Sequence, residues 1–109
     1  VGPGDPLLVA YGRMKLHGVS QLPVMEDGKI VAIVDESDLL LAATEDPPRL
    51  RDPVRDVMSK RLETVPVRTP ISRLLPMFDQ GLVPVVVEDG EFIGLLTRID
   101  LLHYLRRRL

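Results

Sequence analysis

The sequence predicts an α+β fold built as two βαββα halves related by a pseudo-two-fold axis. Three observations carry this: an internal repeat, two Asp-Gly turns, and helical spacing on either side of each turn. Residues 22–40 read Leu-Pro-Val-Met-Glu-Asp-Gly-Lys-Ile-Val-Ala-Ile-Val-Asp-Glu-Ser-Asp-Leu-Leu. Residues 83–102 read Val-Pro-Val-Val-Val-Glu-Asp-Gly-Glu-Phe-Ile-Gly-Leu-Leu-Thr-Arg-Ile-Asp-Leu-Leu. The pairs Asp27-Gly28 and Asp89-Gly90 lie 62 positions apart, as do Asp38 and Asp100. Upstream, Val1-Gly2-Pro3-Gly4-Asp5-Pro6 answers Val65-Pro66-Val67-Arg68-Thr69-Pro70 at a spacing of 64. Two like halves about such an axis make two related clefts, and clefts of that kind bind small ligands.

Each element follows in order. Pro6 is expected as a first helical residue with Asp5 as its cap. Leu7, Leu8, Ala10, Tyr11, Met14 and Leu16 then keep helical spacing up to Gly18. Residues 22–25 and 29–34 flank an Asp-Gly turn, a strong hairpin signal. Asp35 caps a short helix from Glu36 to about Thr44. Glu45-Asp46-Pro47-Pro48 breaks that helix and opens a polar connector. Asp52-Pro53 starts a short helix through Met58, and residues 62–67 form a strand. Pro70 starts a helix reaching Gln80, which Pro76 is expected to kink or interrupt. Residues 83–87 and 91–96 form the second hairpin, and the last helix runs from Arg98 to about Arg108. The repeats are bounded at 1–44 and 52–109, with 45–51 as linker. The first lacks the leading helix that residues 52–58 give the second, as if the sequence were cut from a longer chain.

Composition narrows the function. A chain of 109 residues has the length of one domain. Its net charge of −2, from 14 basic and 16 acidic residues, supplies no field to draw in nucleic acid or an acidic membrane. Cysteine is absent, which removes disulfides and thiolate metal sites and fits a reducing, cytoplasmic setting. No apolar run approaches the ~20 residues that span a bilayer.

Two motifs in register point further. Gly94-Leu95-Leu96-Thr97-Arg98-Ile99-Asp100 resembles the Gly-apolar-apolar-Thr/Ser-x-x-Asp motif of CBS domains, and Gly18-Val19-Ser20-Gln21-Leu22-Pro23-Val24 resembles their upstream segment. The whole chain resembles a tandem CBS pair, or Bateman module. Residues 34–40 and 99–105 further resemble the C-terminal regulatory region of pyridoxal-phosphate-dependent cystathionine β-synthase.

The resemblance implies a nucleoside site at each strand-to-helix corner. A carboxylate just past a strand end can accept both ribose hydroxyls, while first-turn N–H groups meet the 5′ substituent. One implied site combines Val1, Val19, Ser20, Gln21, Leu22 and Pro23 with Thr97, Arg98, Ile99 and Asp100. The second, weaker one combines Thr64, Val65, Leu82, Val83 and Pro84 with Asp35, Ser37 and Asp38. The halves differ: Ala32 replaces the motif glycine and Asp35 the threonine. Between Gly81 and Pro84 stand only Leu82-Val83, so the second half is expected to lack the Ser20-Gln21 step. A capping box would explain Thr97/Asp100 and Asp35/Asp38 without any ligand.

Other chemistry is not indicated. His17 and His103 share no ligand spacing, so no metal site is expected. Ser20, Ser37, Ser59 and Ser72 have no nearby histidine or oxyanion motif, and no catalytic residue is assigned. Gly2-Pro3-Gly4 lacks the Gly-Lys-Ser/Thr of a phosphate loop. Arg106-Arg107-Arg108 suits the last turn of a helix. The reading is therefore a non-catalytic regulatory module. It would bind S-adenosylmethionine or AMP, ADP or ATP and control an attached catalytic domain, with homodimerisation through its apolar helices. The rival reading is a structural dimerisation module whose clefts are vestigial.

Overall fold

The hairpins form where the Asp-Gly pairs stand. Asp27 and Gly28 take φ of 52° and 76°, and Asp89 and Gly90 take 51° and 79°. Both central residues of each turn are thus left-handed, the geometry that a tight two-residue hairpin needs. The computed structural model describes all 109 residues, Val1–Leu109. They form two compact units, Val1–Lys60 and Arg61–Leu109.

The first unit contains α1 (Leu7–His17), β1 (Gln21–Glu26), β2 (Lys29–Asp35) and α2 (Glu36–Glu45), then 3₁₀ turns at Pro47–Arg51 and Val54–Asp56. β1 and β2 pair antiparallel, with a register shift between Val24 and Met25. Val1 takes the place of a further strand: its N–H donates to the Pro23 carbonyl at 3.4 Å, and its carbonyl accepts from Met25 N–H at 2.8 Å. Leu7, Ala10, Met14, Val24, Val34, Leu39 and Val54 fill the core.

The second unit contains β3 (Leu62–Pro66), α3 (Ile71–Asp79), β4 (Val83–Glu88), β5 (Glu91–Leu95) and α4 (Arg98–Arg106). β3 runs parallel to β4, which pairs antiparallel with β5. The register shift here falls between Val86 and Val87, the counterpart of that in the first hairpin. Val65, Leu74 and Phe78 form a small core, edged by Met77, Val86, Leu96 and Leu101. Both repeats follow the βαββα pattern, with Val1 alone standing for the opening strand of the first.

Four local expectations change. Asp5 does not cap α1; its carboxylate accepts from Gly2 N–H at 2.8 Å and closes a turn, leaving Pro6 at the cap position. α3 begins after Pro70, at Ile71, and runs through Pro76 to Asp79 without interruption. A proline this close to the end of a short helix removes one helical hydrogen bond, and burial of Leu74 and Phe78 holds the helix on either side. The helix expected over 52–58 is a single 3₁₀ turn in which Val54 is fully buried in the first unit's core. Leu7 N–H donates to Asp52 O, and Val54 N–H donates to Asp5 O, at 2.9 and 2.8 Å.

The fourth concerns the Ser-Gln step. Three residues separate α1 from β1, and three separate α3 from β4. Leu82 and Val83 therefore occupy the places of Ser20 and Gln21. The extra length of the first half lies inside α1, which has 11 residues to the 9 of α3.

Candidate functional site

In each unit a strand turns into a helix through a reciprocal cap. Asp35 ends β2 in extended conformation, and its Oδ1 accepts from Ser37 N–H at 2.8 Å and from the Ser37 hydroxyl at 2.7 Å. Asp38 Oδ2 accepts from Asp35 N–H at 2.9 Å, completing the box. In the second unit Thr97 Oγ1 accepts from Asp100 N–H at 3.3 Å. Asp100 Oδ2 accepts from both the N–H and the hydroxyl of Thr97, at 2.9 and 2.8 Å. The capping arrangement foreseen in the sequence is present at both corners.

The caps leave capacity for a ligand. Asp38 and Asp100 each engage only Oδ2, so each has an Oδ1 without a protein hydrogen bond. Arg98, beside Thr97, donates instead to the Phe78 carbonyl at 2.9 Å, near the end of α3. That bond uses one of the five N–H donors of the guanidinium and ties the side chain to the end of α3. Ile99 is exposed on the first turn of α4.

The first unit joins residues that belong to different implied sites. Gln21 and Asp35 are register partners at the open end of the hairpin, and Gln21 Nε2 donates to Asp35 Oδ2 at 3.1 Å. Glu36 N–H donates to the Ser20 carbonyl at 2.9 Å. Ser20, Gln21, Asp35, Ser37 and Asp38 therefore cluster about the start of α2. Partial burial pushes the Asp35 carboxyl upward, but hydrogen bonds from Ser37 N–H, the Ser37 hydroxyl and the Gln21 amide outweigh it and hold it below its ordinary value. Gln21 Oε1 is buried and has no partner. Such an orphaned acceptor costs ~1–3 kcal/mol. No local pattern marks the Gln21–Asp35 contact, because it depends on pairing between positions 14 apart.

The strand residues of the weaker set are neighbours too. Leu62–Pro66 lies along β4 so that Glu63 faces Pro84 and Thr64 faces Val85. Val65 and Pro84 are buried, while Thr64 is exposed and Leu82 and Val83 are half-buried. In the first unit Val1 touches the Leu22-Pro23 stretch through its bond to Pro23. Val19 is exposed and lines the end of a largely apolar groove of about 880 Å³ between α1 and α2, with Leu8, Tyr11, Leu39, Leu40 and Ala43 along it. No group of three or more His, Cys, Asp or Glu side chains is placed to hold a metal. No helix is long and apolar enough to cross a membrane.

The CBS-domain family model matches residues 1–45 and 54–107. The chain belongs to the CBS-domain family. As a CBS pair it is a regulatory module. It is 37% identical over 106 residues to an inosine-5′-monophosphate dehydrogenase of Korarchaeum cryptofilum, covering 94% of this chain and 21% of that one. The CBS pair thus spans about a fifth of the length of that relative. This relative does not favour the narrower resemblance to cystathionine β-synthase. Among solved structures the CBS domain NE2398 superposes with a TM-score of 0.85 at 25% identity, over 97% of this chain and 85% of that one. The CBS domain pair of protein MJ0100, in complex with 5′-methylthioadenosine and S-adenosyl-L-methionine, shares the fold with a TM-score of 0.82. Its identity is 18%, over 99% of this chain and 87% of that one.

Proposed function

We propose that this CBS pair senses an adenosyl ligand and so controls an enzyme domain attached to it. The observation that carries the reading is the free Oδ1 of Asp38 and of Asp100, each held at a strand-to-helix corner by a cap that fixes its position. A fixed carboxylate with open acceptor capacity suits a ribose diol, and the neighbouring first-turn N–H groups suit what hangs from the 5′ carbon. The ligands bound by the MJ0100 pair, which has the same fold, support this class. The relative from Korarchaeum supports a dehydrogenase, rather than a cystathionine β-synthase, as the attached domain.

Control would come from differential affinity. A ligand shifts a module between arrangements only by the difference in its affinity for them. Coupling on the order of 1–3 kcal/mol gives several-fold to about hundredfold control. Calorimetry on the module with S-adenosylmethionine, AMP, ADP and ATP tests the reading. Saturable binding of at least one of them is expected, and heats of dilution alone from all four would refute it. In that event the structural alternative stands, supported by the apolar groove of the first unit and by caps that are complete without a ligand.

A further inference from the structure

We propose that Gln21 is a specificity-determining latch on Asp35, displaced by ligands that bring a protonated amine and left in place by neutral ones. The proposal rests on the adenosyl reading above and deepens it at the first unit's corner.

The orientation of the Gln21 amide follows from its partner. An ionised carboxylate accepts hydrogen bonds and cannot donate them, so Nε2 must face Asp35 Oδ2, 3.1 Å away. Oε1 is then turned into a buried position without a donor. Flipping the amide would set Oε1 against the carboxylate, so no orientation satisfies both ends while Asp35 holds the side chain. The latch therefore combines one charge-assisted hydrogen bond with one orphaned acceptor that offsets most, but not all, of it. Such a contact is easily exchanged.

The exchange depends on what arrives. Asp35 Oδ1 already serves two donors from Ser37, so Oδ2 is the oxygen at which a newcomer competes. No Lys or Arg forms an ion pair with Asp35. An ammonium group outcompetes a neutral amide there because both partners then carry charge. Once released, Gln21 can rotate and Oε1 can find a donor. A thioether offers no N–H and leaves the latch closed.

S-adenosylmethionine and 5′-methylthioadenosine make the test, since the second lacks the amino-acid ammonium of the first. Calorimetry is run on the parent and on Gln21→Met, which keeps the side chain's length. The variant should bind S-adenosylmethionine about fivefold more tightly, the scale of one charge-assisted bond set against one orphaned acceptor. Its affinity for 5′-methylthioadenosine should not change. The Gln21 side-chain amide signal in an NMR spectrum should move on saturation with the first ligand and stay with the second. Equal changes for both ligands, or an amide signal that ignores S-adenosylmethionine when it binds, would overturn the latch. Asp35→Asn, which keeps the cap, examines the resting contact without ligand: the Gln21 amide signal should shift, and an unmoved signal also overturns the proposal. If neither of these two ligands binds the parent, ligand-driven displacement of Gln21 fails, and the adenosyl reading falls with it only if AMP, ADP and ATP also give heats of dilution alone.

Discussion

Val1 stands beside Val24 in the register that Val65 takes beside Val86. The first pairing spans 23 positions and the second 21. The two additional residues are absorbed by α1, while the loops into β1 and β4 keep equal length. The corners of the two units are therefore closely matched in backbone and differ mainly in side chains. Ser20 and Gln21 stand where the second unit has Leu82 and Val83.

Replacing Asp100 by Ala removes half of the second capping box and the acceptor with the free oxygen. The stability loss should be about 1 kcal/mol, the usual worth of a cap. Adenosyl-ligand binding at this corner should disappear. Denaturant unfolding and calorimetry on the same sample check both. Unchanged affinity would leave Asp100 as a cap and nothing more.

Asp35 gives the protein an acid-sensitive contact. Its folded pKa lies below the ordinary value of 3.8, so its stabilising effect is complete above that value. The effect is lost as pH falls through the lower folded value. Asp35→Asn retains a capping acceptor but does not titrate there. The variant should be less stable than the parent at neutral pH, and the gap should close below about pH 4. Urea midpoints at the two extremes give the comparison, and a constant gap would count against it.

Charge at the first corner should also select against nucleotides. Asp35, Glu36 and Asp38 lie together there, and the ion pairs of this unit involve Arg49 with Glu45 and Asp52 instead. A triphosphate close to these carboxylates is repelled. ATP should leave this corner empty, and Asp35→Thr should admit it. Difference spectra that follow the Ser37 and Asp38 amides during an ATP titration would show which holds.

Val54→Ala should cost about 2 kcal/mol, because it empties a fully buried site in the first unit's core. Hydrogen exchange should then rise in α1 and β1. An effect on the second unit alone would show that this segment belongs elsewhere.

Leu8 and Leu40 are 53% and 66% exposed along the groove. If this face joins two copies, Leu40→Glu should lower the mass measured by light scattering to that of one chain. The melting temperature of the separated chain should barely change, since the residue is already open to water. A mass unaffected by the substitution would place any association elsewhere.

Much of this architecture was legible from local chemistry. The Asp-Gly turns fixed both hairpins, and the cap spacing at Asp35/Asp38 and Thr97/Asp100 marked both helix starts. What escaped depended on contacts between distant positions. The shift between Val24 and Met25 advances the far end of β1 by one residue, so Gln21 meets Asp35 and not Val34. Nothing in the local pattern announces such a bulge. Arg98 stands beside Thr97 in the implied site, but its partner is a backbone carbonyl twenty positions away, and carbonyls carry no sequence signature. The helix through Pro76 likewise depends on burial of Leu74 and Phe78, which outweighs a local preference.

The docking of Val54 has a bearing on how such modules can be exchanged between proteins. A crossover placed at the repeat boundary, near Glu45, would deliver a first half stripped of its own keystone. The reciprocal piece would carry an unmatched valine into its own recipient. A crossover between Lys60 and Arg61 would move a piece that brings its whole interior with it. The transferable segment is therefore longer than the repeated one, and its last residues are written in what the repeat counts as the next copy.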